Sequence, residues 1–427
     1  MESLSSAGLG DGDWISAVAQ RPKMAAAHGA FALWCVGGGR IVTWGDGAYG
    51  GDIAAVRDRL KKVEEVHASA GAFAAILADG TVVTWGDPDC GGDSAEVQEQ
   101  LRHVQQVRAT NRAFAAILRG GTVVSWGDPN LGGDCSAVQD QLRRVQQIQG
   151  TGGAFAAILE DGHVVTWGDP EDGANSTPVQ DRLRNVRRIC STISAFAAIL
   201  ADGTVVTWGD SGRGGDNTAV QDQLTNVQQV QATYYAFAAL LADKRVVTWG
   251  QPEMGGDSTA VQDQLYNVEQ MQATYSAFAA ILADKRVVTW GQPEMGGDCS
   301  RVRDQLHDVQ QIHASRSAFA AILASGALVT WGEPEFGGVI PAAAENQLSY
   351  VWNELLARPE KHLRKLQETE QKRCFGGLHN LTWWNPLLCP SNRKGLMRIV
   401  LLAHVCPNLR LAWKKDWPCA STSYQSS

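Results

Sequence analysis

The chain has 427 residues, 44% of them hydrophobic and 19% charged, with a formal net charge of −8. That is enough apolar chain to bury a large core, so wholesale disorder is excluded. The 45 glycines and 15 tryptophans are more than an ordinary enzyme of this size places in turns and core, and they point to a repeated unit.

The first residues, Met1 to Gly8, carry neither a basic stretch nor an apolar one, so no secretory signal is expected. The apolar stretch from Leu396 to Cys406 is too short to span a bilayer. Nine cysteines form an odd set without recurring pair spacing, which fits free thiols in a reducing, cytoplasmic or nuclear compartment.

Trp-Gly pairs fall at Trp44, Trp85, Trp126, Trp167, Trp208, Trp249, Trp290 and Trp331, every interval being 41 residues. Twelve places before seven of these tryptophans stand Phe73, Phe114, Phe155, Phe196, Phe237, Phe278 and Phe319. Such a register marks tandem structural repeats. In chain order, a degenerate hairpin over 30–44 is followed by seven full units from Val63 to Trp331, and Trp and Phe are read as their core.

The unit from Val104 to Val145 shows the expected elements. Val104–Thr110, Ala113–Leu118 and Thr122–Trp126 have strand length and composition. Gly120-Gly121 between the last two is Asp-Gly at Asp79-Gly80, Asp161-Gly162 and Asp202-Gly203, a dipeptide suited to the positive φ of a hairpin turn. Asp243-Lys244 and Asp284-Lys285 lack the glycine and predict strained or longer turns. After the tryptophan, a Gly-rich turn leads to Val138 and Leu142, whose spacing suits one or two helical turns on the outside. Three strands per repeat cannot bury both faces alone, which leaves a closed propeller or an open solenoid. Small alanines near an axis, with Phe and Trp between sheets, favour closure.

The segment Val186 to Gly209 follows the pattern V-x-x-I, then I-x-x-D-G-x-V-x-x-W-G with Ile199 in a leucine position, and here the chain resembles the regulator-of-chromosome-condensation repeat family over about residues 30 to 338. The resemblance implies an all-β propeller, seven-bladed in the family, with eight blades possible here. The 41-residue period is most similar to the bacterial β-lactamase-inhibitory propeller and to the propeller modules of HERC-type ubiquitin ligases. Two features depart from the family: its histidine is missing from the full copies, and Gly-Gly-Asp, as at Gly91-Gly92-Asp93, replaces its Gly-Gln-Leu-Gly. No exchange or catalytic residue is carried over.

The organisation expected is an N-terminal segment over 1–29, the propeller over 30–345 and a basic tail over 346–427, helical at first and then poorly ordered. The tail holds 12 Lys and Arg against 5 Asp and Glu, leaving 25 against 40 in the rest. His379, Cys389, His404, Cys406 and Cys419 match no zinc-finger spacing. No phosphate-binding loop, nucleophile elbow or H-E-x-x-H motif occurs. Neither enzymatic activity, cofactor nor metal is expected.

Binding residues are sought where near-identical repeats differ. The pair before Ala-Phe varies most: Ala70-Gly71, Asn111-Arg112, Gly152-Gly153, Ile193-Ser194, Tyr234-Tyr235, Tyr275-Ser276 and Arg316-Ser317. Tyr and Arg anchor protein interfaces, so Asn111, Arg112, Tyr234, Tyr235, Tyr275 and Arg316 form a candidate protein-binding rim. Free variation of exposed loops gives the same pattern, and both readings stand at this stage. Recurrent aspartates after Trp-Gly and after Gly-Gly lack the density of a calcium loop and read as turn caps. An acidic ring of this kind attracts basic partners and disfavours nucleic acid. The function expected is a non-enzymatic protein-interaction module. The alternative implied by the resemblance is a guanine-nucleotide exchange factor, or the substrate-recognition part of a ubiquitin ligase without its catalytic domain.

Overall fold

The computed structural model describes residues 22–36 and 41–340. Eight three-stranded antiparallel sheets follow one another, each in simple chain order. Sheet 1 comprises Pro22–Ala26, Ala30–Cys35 and Ile41–Gly45, sheet 2 Val63–Ala68, Ala72–Leu77 and Val82–Gly86, and sheet 8 Val309–Ala314, Ala318–Leu323 and Leu328–Gly332. Of the two blade counts the sequence allows, the described residues contain eight. The boundary placed at residue 30 falls inside sheet 1, because Pro22–Ala26 pairs with Ala30–Cys35. That strand escapes the repeat pattern since Pro-Lys-Met-Ala-Ala lacks the V-x-x-V spacing. The basic tail over 346–427, with its expected helix, lies outside the described residues.

The middle strand Ala-Phe-Ala-Ala-Ile-Leu is apolar without alternation because both its faces are covered. In sheet 2, Phe73, Ala75 and Leu77 pack on Ala30, Ala32 and Trp34 of sheet 1. Ala72, Ala74 and Ile76 meet Phe114, Ala116 and Trp126 of sheet 3. The same interleaving recurs through sheet 8. Alanine at the centre of each face lets neighbouring sheets approach, and Phe and Trp fill the wider part of each junction.

Each Phe stacks on the Trp directly across the hairpin, for example Phe114 on Trp126 with ring centroids 5.3 Å apart. The Trp126 indole N–H donates to Gly91 O in the preceding repeat at 3.0 Å, satisfying the one polar atom of a buried ring. All seven tryptophans from Trp85 to Trp331 do this, at 2.9–3.1 Å. The accepting glycine is left-handed, with φ +86° at Gly91, and a Cβ there would lie 2.6 Å from the Phe114 ring. Position and conformation both require glycine.

The expected helical turns are short 3-10 segments such as Ser136–Val138 and Thr177–Arg182. Their leucines do not lie outside: Leu101, Leu142, Leu183 and Leu224 are fully buried in the junctions. The leucine anchors the connection into the gap between two sheets, a role its four-residue spacing from valine does not reveal.

The turns without glycine keep the register of the others. Lys244 and Lys285 take φ of 68° and 67°, so the strain is absorbed without extra residues. Left-handed backbone costs a side-chain-bearing residue about 1–2 kcal/mol, and Lys244→Gly is expected to stabilise the protein by about 1 kcal/mol, measured as a rise in urea midpoint.

The propeller expected from the sequence is present, but its two end sheets are less covered than the six between them. Sheets 2 to 7 are covered on both faces, but Phe31 is 39% and Trp44 44% exposed, against 0–1% and 3–5% for their counterparts. On the far face of sheet 8, Ala320, Ile322 and Leu328 are half-buried. Closure needs eight inter-sheet rotations to complete a full turn, and no local sequence pattern encodes that sum.

Candidate functional site

The corner between inner and middle strands is built from Ser or Thr, the variable pair, and Ala. Thr233 Oγ1 accepts from Ala236 N–H at 2.9 Å and donates to Met254 O at 3.1 Å, clipping the corner to the Gly-rich loop of its own repeat. Thr110, Thr151, Thr192 and Thr274 repeat this clip, with Ser69 and Ser315 at the ends of the series.

The first residue of each pair then binds the next repeat through its backbone. His28 N–H donates to Ala70 O, Ala70 to Asn111, Asn111 to Gly152, Gly152 to Ile193, Ile193 to Tyr234, Tyr234 to Tyr275 and Tyr275 to Arg316, at 2.6–3.0 Å. Corners from all eight repeats consequently line one central cavity of about 1220 Å³. Main chain alone makes this relay, which is why the side chains there vary freely.

The second residue of each pair plays a different part. Its carbonyl accepts from the residue after Trp-Gly, as Gly71 O does from Asp87 and Tyr235 O from Gln251. Of the six candidate residues, Asn111, Tyr234, Tyr235, Tyr275 and Arg316 line the cavity. Arg112 does not: it turns outward between Asp89 and Asp128, at 3.7 and 3.6 Å.

The tyrosines form one cluster. Tyr234 and Tyr275 stack with centroids 3.8 Å apart, Tyr235 meets both edge-on, and the Tyr235 and Tyr275 hydroxyls are 3.3 Å apart. Arg316 lies over the Tyr275 ring at 5.2 Å and Arg213 over the Tyr235 ring at 5.5 Å, within cation–π range. Burial pushes the Tyr275 phenol well above its usual range, and the hydrogen bond with Tyr235 adds to this, so the hydroxyl stays a neutral donor in ordinary buffers. Arg213 is held by Ser194 Oγ at 2.8 Å and Asp210 at 3.4 Å. Among the described residues the lining includes no Asp or Glu, so the mouth they form is neutral to basic although the repeats carry the acidic excess.

Arg213 escaped the sequence reading because it sits in the Gly-rich loop, outside the pair. A signal for it exists. The residue before the left-handed glycine also changes in every region, as Tyr49, Cys90, Leu131, Asp172, Arg213, Met254, Met295 and Phe336, apart from one repeated methionine. This second variable register packs beside the first: Arg316 also covers Phe336 at 5.9 Å.

The aspartates do turn work. Asp46, Asp87, Asp128, Asp169 and Asp210 each accept the N–H two residues on, as do Asp52, Asp93, Asp134, Asp216, Asp257 and Asp298. The backbone N–H groups of Ser136, Thr218 and Ser300 hold Asp134, Asp216 and Asp298 below the usual carboxylate range, and the Thr259 hydroxyl followed by its N–H does so for Asp257. A folded-state value below the unfolded value of about 3.9 gives stabilisation that is complete above that pH and fades as pH falls through the depressed values. The urea midpoint is therefore expected to fall below about pH 4, each exposed group contributing little and the repeats acting together. A midpoint unchanged under acid would contradict these caps.

No protein-family model matches the chain, and no curated protein matches it. Similar solved structures include Prp20, the RCC1 of Saccharomyces cerevisiae, at 17% identity and TM-score 0.37, covering 56% of this chain and 74% of that one. The ectodomain of the Physcomitrella patens receptor kinase CR4 is similar at 16% identity and TM-score 0.38, covering 64% and 75%. The computationally designed Ika8 protein is similar at 14% identity and TM-score 0.34, covering 74% and 94%. Independently of these likenesses, eight consecutive three-stranded sheets packed face to face, with their inner corners on one cavity, define a repeat protein of propeller architecture.

Proposed function

We propose that the chain is a non-enzymatic protein-interaction module that binds its partner at the mouth of the central cavity. One observation carries the reading: side chains of the kind that anchor interfaces converge there, on corners whose backbone is fixed by hydrogen bonds that ask nothing of those side chains. Tyrosine offers large, rigid contact area at low entropy cost, and Arg316 offers planar donors. With no carboxylate among the described residues of the lining, the partner's entering segment is neutral or acidic, while basic surface on the partner suits the surrounding aspartates.

The test is affinity capture by the full chain, followed by the same capture with Tyr234→Ala/Tyr235→Ala. A hot-spot loss of at least about 2 kcal/mol corresponds to roughly 30-fold weaker binding. The melting temperature should stay close to that of the parent, because the relay and the Thr233 clip remain. Equal recovery of partners by both proteins would remove the mouth as the binding surface.

A further inference from the structure

Seven junctions join the eight sheets, and each is made from the same three matched parts. A Trp indole N–H meets a glycine carbonyl of the preceding repeat, a Phe ring lies against that glycine, and a corner N–H meets the next corner's carbonyl. The two ends of the array carry the unmatched halves of an eighth junction.

Sheet 1 presents the aromatic half. Phe31 and Trp44 are stacked at 5.3 Å, as close as the interior pairs at 5.1–5.3 Å, yet with Met24 and Val42 they make an exposed apolar face. Sheet 8 presents the receiving half. Gly337 has the φ of +102° seen at the interior glycines, but the place of its Cβ meets nothing within 4 Å where the interior glycines meet a Phe ring. Beside it, Ala320, Ile322 and Leu328 are partly uncovered, and Phe336 and Val339 are exposed. Arg316 N–H, at the end of the relay, has no carbonyl partner among the described residues.

We propose that sheet 1 of one copy docks on sheet 8 of a second copy, head to tail, reproducing the internal junction. Three features name this occupant. The surface that fits Phe31 and Trp44 must offer a left-handed glycine with a free carbonyl beside an Ala-Ala-Ile-Leu face. Sheet 8 offers it: among the described residues the Gly337 carbonyl accepts no hydrogen bond, and the face beside it is partly uncovered. The chain's own sheet 8 leaves Phe31 and Trp44 exposed, so a second copy supplies the contact. Exposed apolar side chains gathered on one face of a folded protein mark an association site, and Met24, Phe31, Val42 and Trp44 are gathered in this way on sheet 1. The contact is heterologous, so association continues beyond a dimer unless the copies close on one another.

The experiment is sedimentation velocity on the full chain over a wide concentration range, with Trp44→Arg blocking sheet 1 and Leu328→Arg blocking sheet 8. Wild type is expected to self-associate with concentration, and each variant alone to stay monomeric. An equimolar mixture of the two is expected to form a 1:1 dimer and nothing larger, because each variant retains the half the other lacks. Should Leu328→Arg fail to fold by circular dichroism, Gly337→Val blocks the same face from a position with free space around it. A wild type that stays monomeric at all concentrations means that the chain covers its own end faces, and overturns the proposal. Association that survives either single substitution, or a mixture that stays monomeric, overturns it equally.

Discussion

Replacing Phe196 with alanine is expected to destabilise the protein by about 3–5 kcal/mol, whereas Phe31→Ala costs about 1 kcal/mol. Both residues sit at the same place in the repeat and both stack on the tryptophan across the hairpin. They differ in what lies beyond: Phe196 is fully buried against sheet 4, while Phe31 is 39% exposed. An interior truncation leaves a cavity that the close-packed alanine faces on either side cannot refill. Because repeat arrays do not always unfold in one step, urea unfolding should be read alongside limited proteolysis. Cleavage is expected to begin near sheet 5 in Phe196→Ala. Equal losses at the two positions would show that the stacked pair within one sheet, and not the junction between sheets, supplies the stability.

The second large effect separates backbone strain from steric exclusion. Gly214 and Gly337 have φ of +98° and +102°, but a Cβ at Gly214 would stand 2.6 Å from the Phe237 ring and one at Gly337 would meet nothing within 4 Å. Gly337→Ala should cost only the left-handed penalty of about 1–2 kcal/mol. Gly214→Ala pays this and a further overpacking cost of about 1–3 kcal/mol, and it also pushes away the carbonyl that accepts the Trp249 N–H. Denaturant midpoints of the two variants measure the difference. If both lose the same amount, the glycine is present for its backbone conformation alone.

These comparisons show which parts of the fold the sequence made legible. Trp85 through Trp331 and their phenylalanines could be read as core because one buried position per sheet recurs at a fixed interval, and each proves buried. The Asp-Gly hairpins were legible because positive φ restricts residue choice locally. Sheet 1 was half legible: Trp44 marks it, but Pro22–Ala26 makes its strand by pairing alone and bears no periodic signature. Leu142 looked like the exposed side of a helical turn, since the gap it fills exists only once two sheets are side by side.

The site divides in the same way. Variation at Asn111, Tyr234, Tyr235, Tyr275 and Arg316 pointed to one corner of the repeat, and the structure brings these residues to one cavity. What distinguished Arg112 from Asn111 was invisible, because Arg112 is drawn aside by Asp89 and Asp128, which come from the Gly-rich loops of two different repeats. Arg213 was missed for the complementary reason: 22 positions separate it from Tyr235, and a loop from the same end of the sheets brings its guanidinium back over that ring. The open faces of sheets 1 and 8 were not legible at all, since they depend on how far eight small rotations carry the chain.

Corner side chains are free to vary because the corner backbones are fixed, and amide hydrogen exchange tests this directly. The N–H groups of Asn111, Gly152, Ile193, Tyr234 and Tyr275 lie in connections between strands, at the most variable positions of the repeat, yet each donates to the neighbouring corner. They are expected to exchange as slowly as the amides of the middle strands. Exchange as fast as in the exposed turns at Asp79-Gly80 and Asp202-Gly203 would mean that no relay holds the corners, and that the tyrosine and arginine mouth is not a built surface.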